Sequence, residues 1–119
     1  MYGFTTVVVQ AQPPFETVDP VEILAGSACQ VIATYYDFTQ TNFVPSAVAY
    51  QVSDVASGTV IAAYETLTPT LSNEVVITAA QNAILSALPN ETHVVTFKIT
   101  DTDGNVYLQE ALFTLRKVI

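Results

Sequence analysis

One histidine, one cysteine and eleven carboxylates are the side chains from which this 119-residue sequence would have to build catalysis or metal binding. Nucleophilic catalysis needs a hydroxyl or thiol beside a base, with a third group orienting that base. His93 is the only imidazole, Cys29 is remote from it in sequence, and no nucleophile-elbow or Cys/His signature surrounds either. Cys29 sits in the alternating apolar run Ala28 to Tyr35 and reads as a small buried hydrophobe. His93, on a strand's inward parity shortly after Pro89, reads as a structural corner residue bonded back across a loop. The segment Asp101-Thr102-Asp103-Gly104-Asn105 offers alternating oxygen ligands of the kind calcium takes. The EF-hand spacing is nevertheless incomplete and Glu110 falls too early to close it, so the segment reads as a hairpin turn. The carboxylates are scattered, without a pair whose proximity follows from spacing, and phosphate-binding glycine loops and metal-spaced Cys or His clusters are absent. Asn90-Glu91-Thr92 matches a glycosylation triplet but reads as a loop. The sequence therefore assigns no catalytic residue, no metal and no cofactor, and the chain is expected not to be an enzyme.

Charge excludes another class. Three Lys and Arg stand against eleven Asp and Glu, a net charge of -8, so the chain lacks the cations that grip a phosphate backbone, and no nucleic-acid partner is expected. No apolar run reaches membrane length, and the start, with only Val7 to Val9 as an apolar core and no positive region, does not read as a signal segment. No membrane partner is expected either. The single cysteine suits folding in a reducing cytosol. What the composition does offer is contact surface. Half the residues are apolar and only 12% are charged, and the twelve tyrosines and phenylalanines exceed what one small core absorbs. The candidate contact residues are Tyr2, Phe4 and Phe15 near the N-terminus, Tyr36, Phe38 and Phe43 around a polar loop, and Leu108 and Leu112 in the last strand.

The elements that must position these residues are strands. Apolar stretches run four to nine residues and end at turn signals: Tyr2 to Gln10, Thr17 to Leu24, Cys29 to Phe38, Ala47 to Ser53, Thr59 to Thr66, Asn73 to Thr78, Thr92 to Thr100 and Val106 to Val118. Alternation selects Cys29, Val31, Ala33 and Tyr35, then Val48, Tyr50 and Val52, then His93, Val95, Phe97 and Ile99 as inward faces. Asp103-Gly104 predicts a hairpin between the last two strands. In the final strand both parities are apolar, which predicts either a bulge that switches faces or cover on both sides. One short helix is expected at Ala79 to Leu88, with Thr78 as N-cap and Pro89 as stop. Residues 1–20, interrupted by Pro13-Pro14, read as an extended segment that is either an arm docking on a neighbour or the first strand of its own sandwich. Residues 21–119 read as a single domain. The expected fold is all-β, an antiparallel immunoglobulin-like sandwich of about seven strands.

Four segments in this order carry a resemblance to a known group. They are Val21-Glu22-Ile23-Leu24-Ala25-Gly26-Ser27 leading to a strand that ends at Asp37; Ala47-Val48-Ala49-Tyr50-Gln51-Val52 followed by Ser57-Gly58; Val76 to Leu85; and Phe97 to Tyr107 around the Asp101 turn. Across residues 21 to 118 the pattern resembles the small immunoglobulin-like β-sandwich proteins of tailed-phage virions, including baseplate upper protein N-terminal domains and head or tail accessory subunits. Ala111 stands where a small glycine is expected, and the loop after Asp37 lacks the usual glycine. The resemblance implies a non-enzymatic structural subunit, made in the host cytoplasm and located in the virion, whose partners are other virion proteins and itself. The alternative expectation is a bacterial extracellular immunoglobulin-like adhesin or glycan-binding module, with exposed aromatics as its site.

Overall fold

The computed structural model describes residues 4–12, 22–37, 41–86 and 88–117. Eight strands lie among them: β1 (Phe4–Gln12), β2 (Glu22–Leu24), β3 (Cys29–Asp37), β4 (Ala47–Asp54), β5 (Val60–Leu67), β6 (Ser72–Ile77), β7 (Asn90–Thr100) and β8 (Val106–Arg116). They form two sheets, ordered β1-β3-β6 and β2-β8-β7-β4-β5. The expected all-β, immunoglobulin-like sandwich is the fold found, with seven longer strands and the three-residue β2. The sheets are not purely antiparallel, because β2 runs parallel to β8, pairing Ile23 with Leu115. The segment left open between arm and first strand pairs β1 along β3 of the same chain, from Phe4 opposite Asp37 to Gln12 opposite Gln30.

Period-two alternation places the core. Cys29, Val31, Ala33 and Tyr35 of β3 face Val48, Tyr50 and Val52 of β4, Val95, Phe97 and Ile99 of β7, and Phe113 and Leu115 of β8 in one buried cluster. The Tyr35 hydroxyl reaches Asn73 Oδ1 at 2.8 Å, so this large side chain is buried without stranding its polar end. The β7-β8 hairpin forms as expected. Asp101 Oδ1 accepts the N–H groups of Asp103 and Asn105, and Gly104 supplies the φ of 86° that the turn requires.

The helix expected at Ala79 to Leu88 is not formed. Thr78 does cap: its N–H donates to Gln81 Oε1 and its hydroxyl accepts from the Gln81 N–H, a reciprocal capping box. A single turn follows, with the Asn82 N–H bonded to the Thr78 carbonyl, and then the backbone is diverted. Asn82 is fully buried and its amide donates to the Ser27 carbonyl, while the Leu85 and Ser86 N–H groups donate to the Glu91 carboxylate. A helix this short gains little from propagation, and tertiary hydrogen bonds take its donors.

The last strand resolves the other open alternative. Its register with β7 is continuous from Asn90 opposite Arg116 to Thr100 opposite Val106, so no bulge switches its faces. Ala111, Phe113 and Leu115 point inward, whereas Val106, Leu108 and Leu112 are more than half exposed on the outer face.

Candidate functional site

Strand register brings together side chains that lie far apart in sequence. Asp54 ends the inward parity of β4 that begins with Val48, and it lies directly opposite His93 of β7. Glu91 is two residues before His93 on β7 and so shares its face. All three are buried: His93 is 0%, Asp54 4% and Glu91 7% exposed. His93 Nε2 is 2.6 Å from Glu91 Oε1 and 3.8 Å from Asp54 Oδ1.

Most of the remaining oxygens are fixed. Glu91 Oε2 accepts the N–H groups of Leu85 at 3.0 Å and Ser86 at 2.9 Å. Burial pushes the Glu91 carboxyl up, but the Leu85 N–H, His93 and the Ser86 hydroxyl and N–H more than offset this and hold it below its ordinary value. Asp54 Oδ2 accepts from the Ser57 hydroxyl and N–H. The Ser57 hydroxyl is the main reason the Asp54 carboxyl is held down against the upward push of burial, with the Ser57 N–H and His93 adding to it. Asp54 Oδ1 and His93 Nδ1 have no hydrogen-bond partner. The His93 ring is oriented by packing, edge-on to Phe113 at 5.9 Å. A cavity of about 460 Å³ adjoins the cluster, lined in part by Asp54, Ser57, Ser86, Leu88, Glu91 and Thr92. The Ser57 hydroxyl is committed to Asp54 and Thr59 rather than poised against the imidazole.

Sequence reading placed His93 inward as a structural residue but did not group it with either acid. The signal was present. Asp54 continues the Val48, Tyr50, Val52 parity by one step, and Glu91 precedes His93 by one strand period, but the expected strands stopped at Ser53 and began at Thr92.

The expected contact residues fall in different places. Leu108 and Leu112 are 61% and 53% exposed on the outer face of the five-stranded sheet. Tyr36 is half-buried on β3 of the other sheet, and Phe43 packs against the core, its ring 6.5 Å from that of Tyr35. The backbone of Phe4 begins β1; Tyr2, Phe15 and Phe38 lie outside the described residues. Cys29 is buried, and burial raises its thiol pKa against the opposing hydrogen bond from Asn82, in keeping with a packing role. Asp101 spends its carboxylate within the turn, on the N–H groups of Asp103 and Asn105, the Asn105 amide and the Tyr107 hydroxyl.

No family model and no curated protein sequence matches the chain. Among solved structures, the fold is similar to CopC from Methylosinus trichosporium OB3b, at 15% identity and a TM-score of 0.52, with 100% of this chain and 97% of that one covered. A conjugate transposon protein from Bacteroides vulgatus aligns at 16% identity and a TM-score of 0.49, over 95% of this chain and 85% of that one. Domains 4 and 5 of the S-layer protein SbsC align at 13% identity and a TM-score of 0.48, over 100% of this chain and 54% of that one. The likeness to CopC establishes the sandwich fold and nothing finer.

Proposed function

We propose that this chain is a non-enzymatic structural subunit that works by protein–protein contact through the outer face of its five-stranded sheet. The observation that carries this reading is the composition of that face. Register aligns Leu108 with Lys98, Leu112 with Val94 and Val106 with Thr100, and Ala47, Ala49, Val60 and Tyr64 continue the surface across β4 and β5. Val60, Tyr64, Val106, Leu108 and Leu112 are each between 45% and 61% exposed. Charge is sparse in its middle, where Lys98 lies over the Tyr64 ring at 5.8 Å and Glu110 stands opposite Thr96. A hollow of about 280 Å³, lined by Ser53, Val94, Glu110 and Leu112 among others, indents it. Apolar side chains gathered on one sheet face, outside the core, mark a contact surface. The segment pattern shared with tailed-phage virion sandwiches supports placing that contact within a virion, with other virion proteins or a second copy as partner.

Two measurements test the reading. The wild-type chain is expected to self-associate in sedimentation or to be found in purified particles, whereas Leu108→Lys with Leu112→Glu is expected to remain folded and lose both. A wild-type chain that is strictly monomeric and absent from particles would overturn it.

A further inference from the structure

We propose that Asp54, Glu91 and His93 form a binding site for a single first-row divalent cation of the Zn²⁺ type. His93 Nε2 and one carboxylate oxygen from each acid lie within 4.8 Å of one another. They come from adjacent strands and converge on the buried inner face, so the backbone ladder between β4 and β7 fixes their spacing. Asp54 Oδ1 supplies the independent observation. It lies 3.8 Å from His93 Nε2, it belongs to a residue 4% exposed, and it has no hydrogen-bond partner. A buried carboxylate oxygen left unpaired is costly, and a cation between it and the imidazole would satisfy it.

The rest of the cluster holds the ligands in place. The second oxygen of Asp54 is tied to Ser57, and the Glu91 carboxylate is tied to the Leu85 and Ser86 N–H groups, the outer support that metal-binding carboxylates use. No ammonium or guanidinium neutralises the pair among the contacts of the described residues: Lys98 lies over Tyr64 and Arg116 pairs with Glu22. One imidazole nitrogen with two carboxylate oxygens is a donor set for Zn²⁺ or Co²⁺; Ca²⁺ takes six to eight oxygens, and Mg²⁺ usually keeps several waters. Three protein ligands leave a fourth position, for which the adjoining cavity has room for water. In the metal-free protein the 2.6 Å interval between His93 and Glu91 is a hydrogen bond. Cation binding displaces the proton from His93 Nε2, leaving a neutral imidazole protonated on Nδ1, and needs the separation from Glu91 to lengthen from 2.6 Å and that from Asp54 to shorten from 3.8 Å. This inference does not depend on the contact face, which lies on the opposite side of the same sheet.

The test uses the full chain stripped with a chelator and titrated with Zn²⁺, Co²⁺ or Mg²⁺ alone. The expected result is a rise in melting temperature that saturates at one Zn²⁺ per chain, a visible absorption band with Co²⁺, and neither with Mg²⁺. Asp54→Asn, which keeps the side-chain shape and a partner for Ser57, and His93→Gln are each expected to weaken Zn²⁺ binding by roughly 10- to 100-fold or more. A wild-type chain with no saturable Zn²⁺ effect and no Co²⁺ band overturns the proposal without reference to any variant. Binding that survives in both variants overturns it as well, because the cation then sits elsewhere.

Discussion

At the scale of single residues, buried carboxylates perform the local structural work. Glu91 holds the loop that follows β6 by accepting two backbone N–H groups, and it holds His93 as well. Glu91→Ala would remove the acceptor of both N–H groups and the partner of the fully buried His93, at a cost of about 1–3 kcal/mol, readable as a lower urea midpoint with an unchanged slope. Asp101 organises the β7-β8 turn. Burial pushes its carboxyl up, but the Asn105 and Asp103 N–H groups, the Asn105 amide and the Tyr107 hydroxyl outweigh that and hold it below its ordinary 3.8. A depressed folded-state pKa contributes stability that is present above the unfolded value and is lost as pH falls through the folded one. Urea midpoints should therefore decline below pH 3.8, and less steeply in Asp101→Asn, which retains an acceptor without the charge. Identical acid limbs in the two proteins would show that the turn carboxylate does not contribute in this way.

At the scale of elements, β8 is a strand of two unlike faces, and neighbouring residues test this directly. Phe113 is 1% exposed among Phe97, Leu115 and the other core side chains, so Phe113→Ala should cost about 3–5 kcal/mol by cavity formation. Leu112, one residue earlier and 53% exposed, should accept Lys with a change within about 0.5 kcal/mol. Thermal unfolding of the two single variants measures the contrast, and a similar loss in both would contradict the continuous register. β1 provides a second element-scale test. Its pairing along β3 implies that deleting residues 1–14 lowers the stability of the isolated chain. An unchanged melting temperature together with lost association would instead assign the segment to a neighbour.

At the scale of the whole molecule, a net charge of -8 opposes the apolar outer face. Like-charged copies repel, and salt screens that repulsion without weakening apolar contact. Self-association through the face of Leu108 and Leu112 should therefore strengthen as ionic strength rises, measured by sedimentation at low and high salt. Association that weakens with salt would point to an ion-paired interface elsewhere on the surface.

The sequence alone determined which side of β3, β4 and β7 faces the core, the hairpin at Asp101 to Asn105, the burial of Cys29 and the acidic charge balance. Those are local properties: alternation follows from the pleat, turn chemistry from a few adjacent residues, and charge from composition. Tertiary structure alone decided three other matters. It ended the helical turn after Thr78 by giving Asn82, Leu85 and Ser86 distant partners. It left one apolar face of β8 outside the core, because continuous pairing with β7 assigns only the odd-numbered positions to the interior. It also set Asp54 opposite His93, two residues from Glu91. That convergence depends on the β4-β7 register between strands separated by a departure to the other sheet, and strand ends placed one residue short on β4 and two short on β7 were enough to hide it.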